Sequence, residues 1–105
     1  MSTGTTLDPV PGAVIMTLLD GAMAKAALEL VNFEREVVTI DMHVAFMRPA
    51  AGRLVATGRS TGGGRSVCFC EAEVADASGA TVAKAMGTFR YRTPEVVPPQ
   101  AEPSS

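Results

Sequence analysis

From Ala13 to about Val31 the chain carries one long run of good helix formers, and the regular segments after it alternate apolar and polar residues with period two. One apolar helix followed by strands must bury its face against the apolar side of a sheet, an α+β arrangement. On a helical wheel Ile15, Leu19, Ala22, Met23, Ala26 and Leu30 share that face, with Lys25 and Glu29 beyond its edge. Pro11 and Gly12 stand where the helix begins, after "MSTGTTLDPVPG", whose Thr, Gly and Pro read as a loop.

After "NFERE" the segment "VVTIDMHVAFM" alternates, with Val38, Ile40, Met42, Val44 and Phe46 on an expected core face and Thr39, Asp41 and His43 opposite. "RPAAG" breaks it, "RLVATGRS" is a second strand, and "TGGG" reads as a turn. "RSVCFCEAEVA" and "TVAKAMGTFRYR" are the third and fourth strands, joined by the tight "DASGA" connection, so the sheet is expected to be antiparallel. The expected organisation is a loop over 1–12, a folded domain over 13–92 and a disordered tail over 93–105 that holds four of the seven prolines.

Composition excludes several functions. A net charge of −2 leaves no basic footprint for nucleic acid or an anionic membrane. No apolar run is long enough to span a bilayer, and "MSTGTTLDPV" lacks the basic start and apolar core of a signal peptide, so a cytoplasmic location is expected. Cys68 and Cys70 share one strand face, an improbable geometry for a disulfide, and His43 stands alone, so no metal site is expected. At 105 residues and 47% hydrophobic, the chain would leave much apolar surface exposed as a monomer, which an oligomer would cover.

One residue does not fit a plain core helix. Asp20 interrupts "PGAVIMTLLDGAMAKAAL", at the rim of the apolar face, with no Lys or Arg three or four residues away to pair with. A solvated helix residue and an acid or base tuned by partial burial are both open readings of such a carboxylate. Beside it Gly21, Ala24 and Ala27 form a small-residue stripe, read as close packing of helix on sheet. The run Gly62–Gly64 with Arg65 and Ser66 lacks the Gly-Lys-Ser/Thr ending of a phosphate loop and reads as a hairpin turn.

"GAVIMTLLDGAM", "VTIDMHVAFMRPA" and "GRLVATGRSTGGGRSVCFCEAEVADASGATVAKAMGTFRYR", in this order, resemble the hotdog fold of the 4-hydroxybenzoyl-CoA and phenylacetyl-CoA thioesterase-like group, over about Pro11 to Arg92. The resemblance implies a sheet wrapped around the long helix, two subunits paired edge to edge as a homodimer or homotetramer, and active sites at that interface. It implies hydrolysis of a small aromatic or medium-chain thioester, carried by CoA or a carrier protein, with no metal or redox cofactor.

Members usually begin the helix with His-Gly-Gly and place a catalytic Asp or Glu about two and a half turns later. Pro11-Gly12-Ala13 followed by Asp20 has that spacing. Asp20 is then the candidate base or nucleophile, and the Gly12 and Ala13 amides the candidate donors to the thioester carbonyl. Thr39, two residues before Asp41, matches a strand hydroxyl that assists in some relatives; lying opposite Ile40, it is expected to meet Asp20 only across a subunit boundary. Gly64, Arg65 and Ser66, with Arg48, are the CoA-binding candidates by the same resemblance.

Pro11 stands in place of the family His, Ala13 in place of its second Gly, and Thr5 in place of an Asn six residues before the motif. The altered His-Gly-Gly and Asn positions favour the alternative: a noncatalytic hotdog protein that binds an acyl thioester or acts as an assembly module. The resemblance also leads to the expectation of a further segment and strand before the helix loop, whose lack here would fit a fragment truncated at an internal start.

Overall fold

A computed structural model describes residues 8–94 as one helix, α1 (Gly12–Glu29), and four strands, β1 (Glu36–Phe46), β2 (Leu54–Gly63), β3 (Val67–Asp76) and β4 (Thr81–Arg92). The expected tail from residue 95 onward and the first seven residues of the expected N-terminal loop lie outside the described residues.

The helix begins without a side-chain cap. Pro11 sits in extended backbone at φ −60°, and its carbonyl accepts the Val14 and Ile15 amides at 3.0 and 3.3 Å. The helix stops two residues earlier than expected, in a Schellman-type end: Asn32 N–H bonds the Glu29 carbonyl and Phe33 N–H the Leu28 carbonyl, with Asn32 at φ +53°. Leu30 is therefore past the helix and 62% exposed rather than on its buried face. Ile15, Leu19, Met23, Ala26 and Ala27 form the face that is buried.

That face lies on a sheet of order β1-β4-β3-β2 in which every neighbouring pair is antiparallel. Cys68, Cys70, Ala72 and Val74 of β3 and Ala83, Ala85, Phe89 and Tyr91 of β4 supply the sheet side of the core. This helix-on-antiparallel-sheet arrangement is the hotdog fold. Two glycines permit the close approach. A Cβ at Gly58 would stand 2.3 Å from the Ala22 carbonyl oxygen, and one at Gly87 3.1 Å from the Met23 methyl carbon.

Of the expected small-residue stripe, only Ala27 is fully buried. Gly21 is exposed, and a Cβ there would meet nothing within 4 Å, so that part of the stripe does not pack the helix on its own sheet. "TGGG" also differs from expectation, because β2 runs on through Gly63, with a bulge between Ser60 and Gly62. The turn is shorter, Gly64 to Ser66, closed by a 2.8 Å bond from Gly64 N–H to the Val67 carbonyl. The β3–β4 turn is held by Asp76, whose carboxylate accepts the Ser78 and Ala80 amides and, at 2.6 Å, the Ser78 hydroxyl.

Candidate functional site

Asp20 is half-buried on the side of α1 that faces β1. The Thr39 hydroxyl donates a 2.9 Å hydrogen bond to Asp20 Oδ1 within the same chain. The expectation that Thr39 turns away from its own helix is therefore wrong, and the reason is a bulge. Thr39 pairs with Phe89 but Asp41 with Thr88, so Ile40 is an extra residue in the ladder. Counting back from Met42 by twos puts Ile40 inward; the extra residue reverses the phase. Val37 and Thr39 accordingly face the helix, while Val38 and Ile40 are 42% and 54% exposed.

Among the described residues no Lys or Arg nitrogen lies within 4.0 Å of Asp20. The hydroxyl bond occupies one oxygen of the carboxylate and orients it; the second has no partner among the described residues and can take a proton or attack. One turn before Asp20 on the helix, Met16 is 41% exposed and presents an apolar neighbour.

The Gly12 and Ala13 amides have no partner among the described residues, as expected at an uncapped helix start. A Cβ at Gly12 would contact only the Phe46 ring, at 3.5 Å. These amides lie about 12 Å from Asp20 along the axis, at ~1.5 Å rise per residue. One subunit therefore does not bring Gly12 and Ala13 together with Asp20 and Thr39 around a single carbonyl.

The four CoA-binding candidates are likewise divided. Gly64, Arg65 and Ser66 form the β2–β3 turn, beside the C-terminal end of α1. Arg48 lies at the other end of β1, its amide directed to the Val82 carbonyl and its charge close to Asp76. The Asp76 carboxyl is held below its usual range chiefly by the Ser78 hydroxyl, with Arg48 a lesser contributor.

Sequence reasoning passed over a polar group under the turn. Tyr91 donates its hydroxyl to the Ala27 carbonyl at 2.7 Å and its amide to the Ser66 carbonyl at 2.8 Å. Arg35 stacks over the Tyr91 ring and bonds the Arg65 carbonyl at 2.7 Å. Arg35 follows the helix in an irregular stretch, and no pattern linked it to a turn thirty residues on. Cys68 and Cys70 do share a face, buried and free, with their sulfurs 3.6 Å apart. Burial foremost, with the neighbouring Cys68 thiol, pushes the Cys70 thiol up to about 12, which keeps it unreactive. His43 is exposed on the sheet face away from the helix.

Several solved structures share this fold. A protein of Bacillus halodurans, solved with CoA, superposes with a TM-score of 0.75 and 25% identity over 86% of this chain and 63% of its own. A conserved protein of Pseudomonas aeruginosa matches with a TM-score of 0.74 and 30% identity, over 79% of this chain and 66% of its own. A phenylacetic acid degradation-related protein of Ralstonia eutropha matches with a TM-score of 0.72 and 28% identity, over 85% and 70%. The chain thus spans about two thirds of the length of these proteins. No curated protein sequence matches it. The sequence model of the thioesterase superfamily covers residues 10–83, from just before α1 into β4, and the chain belongs to that superfamily.

Proposed function

We propose that two copies of this chain, paired through their β1 edges, form a thioester hydrolase in which one copy supplies the amides and the other the carboxylate. The single observation that carries the reading is the Thr39–Asp20 hydrogen bond at 2.9 Å, which orients an otherwise unpaired carboxylate beside an open edge strand. β1 is 11 residues long, and Val38, Ile40 and Phe46 are exposed along it, an edge that calls for a partner. In an isologous antiparallel pair, the C-terminal end of one β1 lies beside the N-terminal half of the other. Phe46 touches the helix start at Gly12, so that pairing carries the free amides of one copy toward Asp20 of the other. It also carries Arg48 of one copy toward the Gly64–Ser66 turn of the other.

In this arrangement the Gly12 and Ala13 amides polarise the thioester carbonyl and stabilise the charge that develops on its oxygen. Asp20 takes a proton from a water whose oxygen attacks the carbonyl carbon, or attacks that carbon itself to form a mixed anhydride that water afterwards cleaves to the free acid and the carboxylate. The C–S bond then breaks, its electrons leaving with the sulfur as a thiolate. The substrate proposed is a small aromatic or medium-chain acyl thioester. The Bacillus protein's bound CoA and the Ralstonia protein's link to phenylacetic acid degradation support that class. No helix among the described residues is long and apolar enough to cross a membrane, which suits the cytoplasmic location proposed.

Pro11, where relatives carry His, supports the second reading of a noncatalytic thioester-binding protein. Hydrolysis of an acyl-CoA panel, followed by thiol release, separates the two. The hydrolase reading predicts turnover that falls by at least a hundredfold in Asp20→Asn and by about tenfold in Thr39→Val. Turnover unchanged in Asp20→Asn refutes the mechanism.

A further inference from the structure

Gly12, Met16 and Asp20 follow one another at four-residue steps along the side of α1 that faces β1. Thr39 meets this row at Asp20, and Phe46 meets it at its start. The Cζ and Cε1 atoms of the Phe46 ring stand 3.5 and 3.6 Å from where a Cβ on Gly12 would be. A helical Cβ is tilted toward the N-terminus, the direction in which the unpartnered Gly12 amide also points, so the ring flanks the mouth of the helix.

Phe46 is fixed there through its backbone. It pairs with Ala83 of β4, and the next residue, Met47, donates its amide to the Val82 carbonyl at 2.8 Å. In the phase of the strand after its bulge, Phe46 shares a face with Met42 and Val44, which pack against the core. Phe46 nevertheless remains 52% exposed, beside a glycine that has no side chain to cover it.

We propose that Phe46 sets the shape of the acyl group this site accepts, by limiting branching at the carbon next to the thioester carbonyl. The proposal rests on the hydrolase reading above, in which the Gly12 amide holds that carbonyl, and adds a specificity-determining side chain to it. A carbonyl oxygen bonded to the Gly12 amide lies about 2.9 Å from its nitrogen, so the atoms on either side of the carbonyl carbon fall in the shell that the ring already occupies. Of those two sides, sulfur leads into an arm that carries amides, and the acyl carbon leads into hydrocarbon. An apolar ring suits the second, because no polar group is desolvated against it. A straight chain can lie flat along the ring, whereas a methyl branch at the first carbon projects into it. With its backbone held in the ladder and Gly12 behind it, the ring cannot retreat toward the helix.

The test compares kcat/KM for two isomers on one carrier, butanoyl-CoA and 2-methylpropanoyl-CoA, in the wild type, Phe46→Ala and Phe46→Leu. Phe69→Ala removes a ring of similar exposure, 48%, from the opposite sheet face, where it stands between the inward-facing Cys68 and Cys70. The wild type is expected to prefer the straight isomer by about tenfold or more, the scale on which a site discriminates by one carbon. Phe46→Ala should lose most of that preference, Phe46→Leu part of it and Phe69→Ala none. Weakened pairing of the β1 edges lowers both rates together and leaves their ratio alone. A wild type without the preference, or a ratio unchanged in Phe46→Ala, overturns the proposal while leaving the hydrolase reading intact.

Should no thioester be hydrolysed and the hydrolase reading fall, calorimetric titration with the same two thioesters decides the matter without turnover. Binding of the straight isomer about tenfold tighter than the branched one, with the difference lost in Phe46→Ala, upholds the role of the ring. Equal affinities, a difference retained in Phe46→Ala, or no binding of either isomer refutes it.

Discussion

Gly58→Ala tests how α1 is seated on the sheet, and its cost can be worked from distances. The new Cβ would stand 2.3 Å from the Ala22 carbonyl oxygen, 2.5 Å from its carbon and 3.0 Å from the Met23 nitrogen. All three are backbone atoms of the helix, so no side chain can rotate aside. Restoring an ordinary contact of ~3.5 Å moves helix from strand by about 1.2 Å.

Against immovable backbone atoms, overpacking falls in the upper part of its usual range of about 1–3 kcal/mol, and after the gain of roughly 0.4–1 kcal/mol from stiffening the unfolded chain a net loss of about 1–2 kcal/mol remains. At about 4–8 °C per kcal/mol for a domain of this size, the melting temperature should fall by roughly 4–15 °C. The same substitution at Gly21, inside the helix and with nothing within 4 Å of the added carbon, should instead stabilise by about 0.5–1 kcal/mol. Thermal unfolding of the two variants beside the wild type is the assay. A Gly58→Ala protein as stable as the wild type, or a Gly21→Ala protein less stable than Gly58→Ala, would refute this account of the seating.

Two titrations supply further predictions. Burial raises Cys70 from 9.0 to about 12 and Tyr91 from 10.0 to about 12, so the fold holds both protonated more tightly than the unfolded chain does. Their contribution is complete below pH 9 and is lost as pH rises toward 12; urea midpoints at pH 7.5 and 10.5 should show the drop, and native Cys68 and Cys70 should resist a thiol reagent at pH 8 that modifies the unfolded chain. Asp76 shifts the opposite way: its carboxylate contributes above its ordinary 3.8 and that contribution is lost as pH falls through the depressed folded value. Hydrogen exchange at the Ser78 and Ala80 amides should accelerate in Asp76→Ala at neutral pH and leave distant β2 amides unchanged.

Much of the architecture was legible because periodicity reports burial directly. The spacing of Ile15, Leu19 and Met23 marked the helix face, and alternation in "VCFCEAEV" and "AKAMGTFRY" marked β3 and β4, whose inner residues are all apolar or small. β1 failed at one residue for a physical reason. Ile40 is apolar, so it kept the alternating pattern intact while sitting outside the ladder, and only the pairing register reveals that the strand changes phase there. The small residues were ambiguous in the same way. A glycine appears in the sequence as freedom, but Gly58 is required by a neighbouring carbonyl and Gly21 by nothing in its own chain.

For the site, Asp20 stood out as an unpaired carboxylate in an apolar helix, and in the folded chain it accepts the Thr39 hydroxyl. That the amides and the carboxylate lie about 12 Å apart in one subunit follows from helix rise alone, at ~1.5 Å per residue, once both are set on one helix. The Arg35–Tyr91–Arg65 group had no comparable signal, since it joins three segments that come together only in the folded chain.

The central claim is that one site takes its amides from one copy and its carboxylate from the other, and mixed subunits test it most directly. Gly12→Pro removes an amide at the first helical position, where Pro is tolerated, and the extended backbone of Pro11 accepts a proline after it. Asp20→Asn removes the carboxylate. Each variant alone is expected to be inactive toward an acyl-CoA that the wild type hydrolyses. When the two are refolded together, random pairing makes half the dimers mixed, each with one intact site, so about one quarter of wild-type activity should return. A mixture as inactive as its components, or a Gly12→Pro protein with full activity, would contradict the shared site.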